Sequence, residues 1–85
     1  MKYRSRTDIV SQILEAANGG TTKTKIMYSA YLSYAQLRDY LSVMIENGLL
    51  EYEPGVSRYK TTSKGLQFLK MYNEMGQLTA TAAQE

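Results

Sequence analysis

A mainly helical fold carrying one small β-hairpin is what this sequence predicts, and three observations carry the expectation. Apolar residues recur at spacings of three and four over four separate stretches. The period changes to two only near residues 48–61, around the turn dipeptide Pro54-Gly55. At 85 residues, with 44% hydrophobic and 21% charged side chains, the chain has the size of one core and the composition of a folded domain rather than a disordered one.

From Thr7 to Ala17 the apolar residues Ile9, Ile13, Leu14, Ala16 and Ala17 fall on helical spacing, with Asp8 where a carboxylate favours a helix N-terminus. Ser5 or Thr7 can cap this helix, and Asn18-Gly19-Gly20 stops it. A shorter helix is expected over Lys23 to Ala30, capped by Thr22, with Ile26 beside Ala30 and Met27 adjoining. The clearest signal follows. Ser33 and Gln36 form a capping box, Leu37, Leu41, Met44 and Ile45 form an apolar stripe, and Gly48 stops it, so a third helix is expected from Tyr34 to about Asn47. Gly48 to Glu53 and Val56 to Thr61 read as two strands of a hairpin. Thr62 or Ser63 then caps a fourth helix containing Leu66, Phe68, Leu69, Met71, Tyr72 and Met75.

Three helices, a hairpin and a helix, in that order, make a winged helix. The predicted fold class is therefore mainly α with a small β wing: a winged helix-turn-helix with an extended C-terminal helix. Residues 1–62 are read as the head with an N-terminal basic arm, and 63–85 as a helix for packing and dimerisation. On that helix Leu66, Leu69 and Tyr72 are expected to face the head. Phe68, Met71, Met75, Leu78 and Ala82, at alternating spacings of three and four, are the expected seam with a second copy. The competing expectation is a helix that ends near Gly76 and merely covers the domain.

Composition excludes several functions. With no cysteine and no histidine, thiolate and imidazole metal sites, redox dithiols and histidine acid–base chemistry are absent. The eight carboxylates have no calcium-loop spacing, and no nucleophile elbow, phosphate-binding glycine loop or paired acid and base is visible. Neither an enzyme nor a cofactor nor a small-molecule ligand is expected. No apolar run reaches signal-peptide or membrane-span length, so the expected location is cytoplasmic, with no membrane partner.

The net charge of +2 is small, but it is unevenly spread. Residues 1–38 hold six basic and two acidic side chains, 39–53 hold four acidic and none basic, and 54–85 hold four basic and two acidic. Such asymmetry suits a phosphate-facing surface.

Taken together, Arg4-Ser5-Arg6, Lys25-Ile26-Met27-Tyr28, Leu32-Ser33-Tyr34 with Leu37 and Tyr40-Leu41, Asn47-Gly48-Leu49-Leu50, and Tyr59-Lys60-Thr61-Thr62 with Lys64-Gly65 resemble the archaeal winged-helix regulators, in particular the small chromatin-associated archaeal proteins of about ten kilodaltons. The resemblance spans residues 4 to 72. It implies a chromosome-associated, DNA-binding homodimer, with Tyr34 to Asn47 as recognition helix, Tyr52 to Lys60 as wing and a dimer helix, antiparallel to its partner's, starting near Ser63. The ending LTATAAQE is shorter than the family's pattern.

A helix-turn-helix head reads a duplex with one helix in the major groove while surrounding cations hold phosphates. On the third helix Ala35, Asp39, Ser42 and Glu46 centre on the outward side, and the two carboxylates there argue against deep insertion. The expected contact is its first turn, Ser33, Tyr34, Gln36 and Arg38, where Gln36 suits adenine and Arg38 suits guanine or phosphate. Lys23 and Lys25 on the second helix and Arg58 and Lys60 on the wing suit phosphates. Arg4 and Arg6, with Lys2, form a basic arm that can follow a groove. Of the eight tyrosines, Tyr28, Tyr31 and Tyr40 are expected to pack with a peripheral hydroxyl, and Tyr34 to meet the DNA backbone. The alternative function is a winged-helix protein-interaction module in which the same cations only solvate. A reader of single strands lacks the glycine-interleaved aromatic strands that common modules use.

Overall fold

The computed structural model describes residues 4–84, and the side chains of residues 4–76. The chain runs α1 (Arg6–Ala16), α2 (Lys23–Ser29), α3 (Tyr34–Glu46), β1 (Leu50–Glu53), β2 (Arg58–Thr61) and α4 (Ser63–Gln84). The expected fold is the observed one, a four-helix domain with a two-stranded wing.

Local chemistry sets the helix starts. Ser5 caps α1 in a reciprocal box with Asp8, Thr22 accepts from the Lys25 amide at the start of α2, and Ser33 with Gln36 closes the box that opens α3. Each cap satisfies amides that would otherwise lack a partner. For α4 the cap is Thr62, whose Oγ1 accepts from the Gly65 amide at 3.1 Å. The helix then passes through Gly76 to Gln84.

Ile13, Leu14, Ile26, Leu37, Met44 and Leu50 are the largest fully buried side chains, so all three head helices and β1 supply the core. Leu69 of α4 joins the same cluster. The α4 helix can come this close because of Gly65: a Cβ there would stand 2.4 Å from the Leu49 carbonyl oxygen and 2.7 Å from Thr61 Cγ2. Buried Thr61 donates to the Leu14 carbonyl at 2.7 Å, which ties β2 to α1.

The strands pair antiparallel with Glu51 opposite Lys60 and Glu53 opposite Arg58. They are shorter than expected, beginning at Leu50 rather than Gly48 and at Arg58 rather than Val56. Gly48 lies in the turn that follows α3, one residue past its Asn47 cap, and residues 54–57 form the hairpin turn. The loop after α1 adds a pairing that sequence reading missed: Thr21 and Tyr59 exchange both backbone hydrogen bonds, at 2.9 and 2.8 Å. This short bridge sets the start of α2 beside the wing.

The facing of α4 differs in part from expectation. Leu69 is buried and Tyr72 half-buried, but Leu66 is 43% exposed, and Phe68 packs half-buried against the core. The close approach at Gly65 turns the helix so that positions 65, 68, 69 and 72 meet the head. Met71 and Met75 stay 61% and 63% exposed. The side chains of Leu78 and Ala82 lie outside the described residues. Among the described residues, no helix is long and apolar enough to cross a membrane.

Candidate nucleic-acid interface

The Thr21–Tyr59 bridge, the start of α2 and one flank of α3 enclose an open groove of about 140 Å³. Leu41, Ile45 and Tyr59 form its apolar lining, while Lys23, Tyr34, Arg38 and Ser42 supply polar and cationic groups. Lys23 Nζ stands 4.9 Å from the centre of the Tyr34 ring and 3.5 Å from its hydroxyl, to which it donates. A cation over an exposed aromatic ring gains about 0.5–1 kcal/mol, enough to bias a flexible lysine toward one place without removing its charge from the surface.

Arg38 is exposed and 3.7 Å from the Asp39 carboxylate. That pair is open to solvent on both sides, so it costs Arg38 little to exchange the carboxylate for another anion. Arg58 and Lys60 alternate with Tyr59 and Thr61 and so project from the outer face of the wing. Across the ladder they face Glu53 and Glu51, which dilutes the wing's positive field in a way that charge counting along the chain misses.

Three sequence-predicted residues therefore meet at one groove: Lys23, Tyr34 and Arg38. Ser33 and Gln36 lie at the first turn of α3, as expected, but the Gln36 side-chain oxygen accepts from the Ser33 amide at 3.0 Å. That bond takes one of the oxygen's two lone pairs and holds the side chain back against the helix end, so bidentate adenine recognition, which uses the oxygen as well as the amide N–H, competes with the cap. Lys25 is exposed on α2.

The basic arm behaves differently. Arg4 is half-buried and donates to Gln12 Oε1 at 2.5 Å, to the Ala30 carbonyl, and to the Tyr31 carbonyl at 3.1 Å. Its guanidinium closes the turn between α2 and α3 instead of standing free. Arg6 lies 5.4 Å over the Tyr40 ring. Tyr40 is two residues from both Arg38 and Ser42, hence on the opposite flank of α3, so the structure does not bring Arg6 to the groove. Tyr28 and Tyr31, expected to pack, are 70% and 81% exposed; Tyr40 is half-buried as expected.

A sequence profile of winged helix-turn-helix proteins matches residues 3–80. This chain belongs to that family. The winged helix-turn-helix chain is also 34% identical over 76 residues to the uncharacterized protein MJ0290 of the archaeon Methanocaldococcus jannaschii, and spans about a third of that relative's length (88% of this chain, 35% of the relative). Its fold superposes with a TM-score of 0.81 on the crystal structure of Sso10a-2, a DNA-binding protein from Sulfolobus solfataricus, at 22% identity and covering 95% of this chain and 87% of the other.

Within this winged helix-turn-helix head, the residues that sequence reading missed are Ser42, Ile45 and Tyr59 as groove lining. An alternating strand pattern signals Tyr59 as inward-facing, but only the bridge to Thr21 puts it beside Lys23. Among the described residues, no three metal-ligating side chains come together.

Proposed function

We propose that this winged helix-turn-helix chain binds double-stranded DNA with the first turn of α3 and the groove beside it, in the cytoplasm, as a homodimer that regulates transcription or organises the chromosome. The observation that carries the reading is the convergence of Lys23, Tyr34 and Arg38, from two different helices, around an apolar-floored groove next to a wing bearing Arg58 and Lys60. Cations above an apolar floor suit a phosphodiester strand, since the phosphate meets charge and the sugar meets carbon. DNA binding by Sso10a-2, which shares the fold, supports the same reading.

Asp39 and Glu46 stand exposed on the outward side of α3, so the helix meets the duplex with its N-terminal end and not along its length. Most of the affinity is then electrostatic, and non-specific dissociation constants of roughly 10⁻⁴ to 10⁻⁶ M near physiological salt are expected. Exposed Met71 and Met75 support dimerisation through the segment from residue 63 to 82. The same reading divides the chain into a head, residues 1–62, and a segment for packing and dimerisation, residues 63–85. The second reading, a protein-interaction module, draws on the exposed Val43 and Ile45 of α3 and on the carboxylates facing both wing cations.

Fluorescence anisotropy with random and genomic duplexes decides between them. Salt-dependent binding supports the DNA reading, and a preferred site separates a local regulator from a general chromosome protein. Absence of duplex binding at low salt, with a partner protein retained on the same face, supports the module.

A further inference from the structure

Helices α2 and α3 end in the same hydrogen-bonded motif. After α3 the Leu49 amide donates to the Met44 carbonyl at 2.8 Å, and after α2 the Leu32 amide donates to the Met27 carbonyl at 3.1 Å. In both, the residue just before that donor is left-handed, with φ +77° at Gly48 and +53° at Tyr31. This position favours glycine, because any Cβ crowds the following carbonyl.

At Gly48 the chain conforms. At Tyr31 it places one of its bulkiest side chains, and that side chain is 81% exposed, so core packing does not account for it. Strain borne by an exposed, bulky residue points to what its side chain does. The turn is also held from outside: Arg4 donates to the Ala30 and Tyr31 carbonyls and to Gln12 of α1, joining the turn to that helix. Tyr31 precedes the α3 cap, Ser33, by two residues and Tyr34 by three, so at ~3.8 Å per residue its backbone lies within reach of the first turn of α3.

We propose that Tyr31 is a further DNA-contacting residue, its ring against a sugar and its hydroxyl donating to a phosphate oxygen, with Arg4 as the residue that positions it. The inference rests on the DNA reading above and adds a neutral contact to the cationic ones. A neutral contact contributes affinity without releasing a counterion, so its loss leaves the salt dependence unchanged.

The experiment uses the full chain with Tyr31→Asn and Tyr31→Phe, melting each variant and titrating each against a random-sequence duplex at several salt concentrations. Asparagine tolerates the left-handed conformation, so Tyr31→Asn is expected to melt at or above the wild-type temperature while binding roughly two- to tenfold more weakly with the same salt slope. Tyr31→Phe keeps the strain and removes only the hydroxyl. Weakened binding in both variants assigns the contact to the hydroxyl, and in Tyr31→Asn alone to the ring. Wild-type affinity in both variants, or a Tyr31→Asn loss that tracks a lowered melting temperature, overturns the proposal while leaving the DNA reading in place. A wild-type chain that binds no duplex at low salt overturns the reading itself and this contact with it.

Discussion

Gly65→Ala and Gly76→Ala make the same chemical change on the same helix, and the structure predicts opposite signs for them. At Gly65 the added methyl would stand 2.4 Å from the Leu49 carbonyl oxygen, 2.7 Å from Thr61 Cγ2 and 3.1 Å from Leu14 Cδ2. The carbonyl cannot simply move away, because it accepts from the Thr62 amide at 3.0 Å, the bond that joins the residue just before β1 to the residue just before α4. Because the nearest atom is backbone, the overpacking falls in the upper part of the usual range, about 2–3 kcal/mol, and alanine's helix preference offsets up to about 1 kcal/mol of it. A net loss of about 1–2 kcal/mol in a domain of this size lowers the melting temperature by roughly 4–16 °C. At Gly76 nothing lies within 4 Å among the described residues, so only the helix preference acts, and the melting temperature rises by roughly 2–8 °C. Circular dichroism melts at a single protein concentration read both. A Gly65→Ala chain as stable as wild type would refute the close packing of α4 on which the core description rests.

Three further outcomes follow from particular contacts. Tyr72 donates to the Asp8 carboxylate, which holds the Asp8 pKa below its ordinary 3.8 and raises that of Tyr72 above its ordinary 10.0. The Asp8 share of stability is therefore present above its ordinary pKa and lost as pH falls through the lowered folded value. The Tyr72 share is present below pH 10.0 and lost as pH rises through the raised one, so Tyr72→Phe should flatten both ends of the stability profile in urea titrations. In the homodimer proposed above, where exposed Met75 would be covered by a second copy, Met75→Glu should raise the dissociation constant about tenfold or more in sedimentation and Lys70→Glu change it little, since about 1.5–3 kcal/mol attends burial of an apolar side chain. Arg4→Gln should lower both the melting temperature and the DNA affinity yet leave the salt slope unchanged, whereas an Arg4 bound to phosphate would lower that slope by about one.

The head was legible in the sequence because its signals are local. Capping at Ser33 and Gln36, the stripe from Leu37 to Met44 and the turn at Pro54-Gly55 each depend on residues within a few positions. The rest depends on residues far apart in the chain. Arg4 reads as a free cation until the Ala30 and Tyr31 carbonyls are brought to it, 26 and 27 residues away. The exposure of Leu66 and partial burial of Phe68 follow from how closely Gly65 meets the Leu49 carbonyl, which periodicity along α4 cannot convey. Likewise, chain order lists Arg58 and Lys60 as a basic pair, and only the strand register sets them opposite Glu53 and Glu51.

If the cations around the groove and wing hold phosphates, the salt dependence of duplex affinity counts them. The logarithm of the association constant, plotted against the logarithm of salt concentration, should fall with a slope of roughly −0.9 for each phosphate engaged. Alanine at Lys23, Arg38, Arg58 or Lys60 should each lower the magnitude of that slope by about one per contact removed, and weaken binding to all sequences alike for those that touch phosphate alone. Slopes identical to wild type in all four variants would contradict the account.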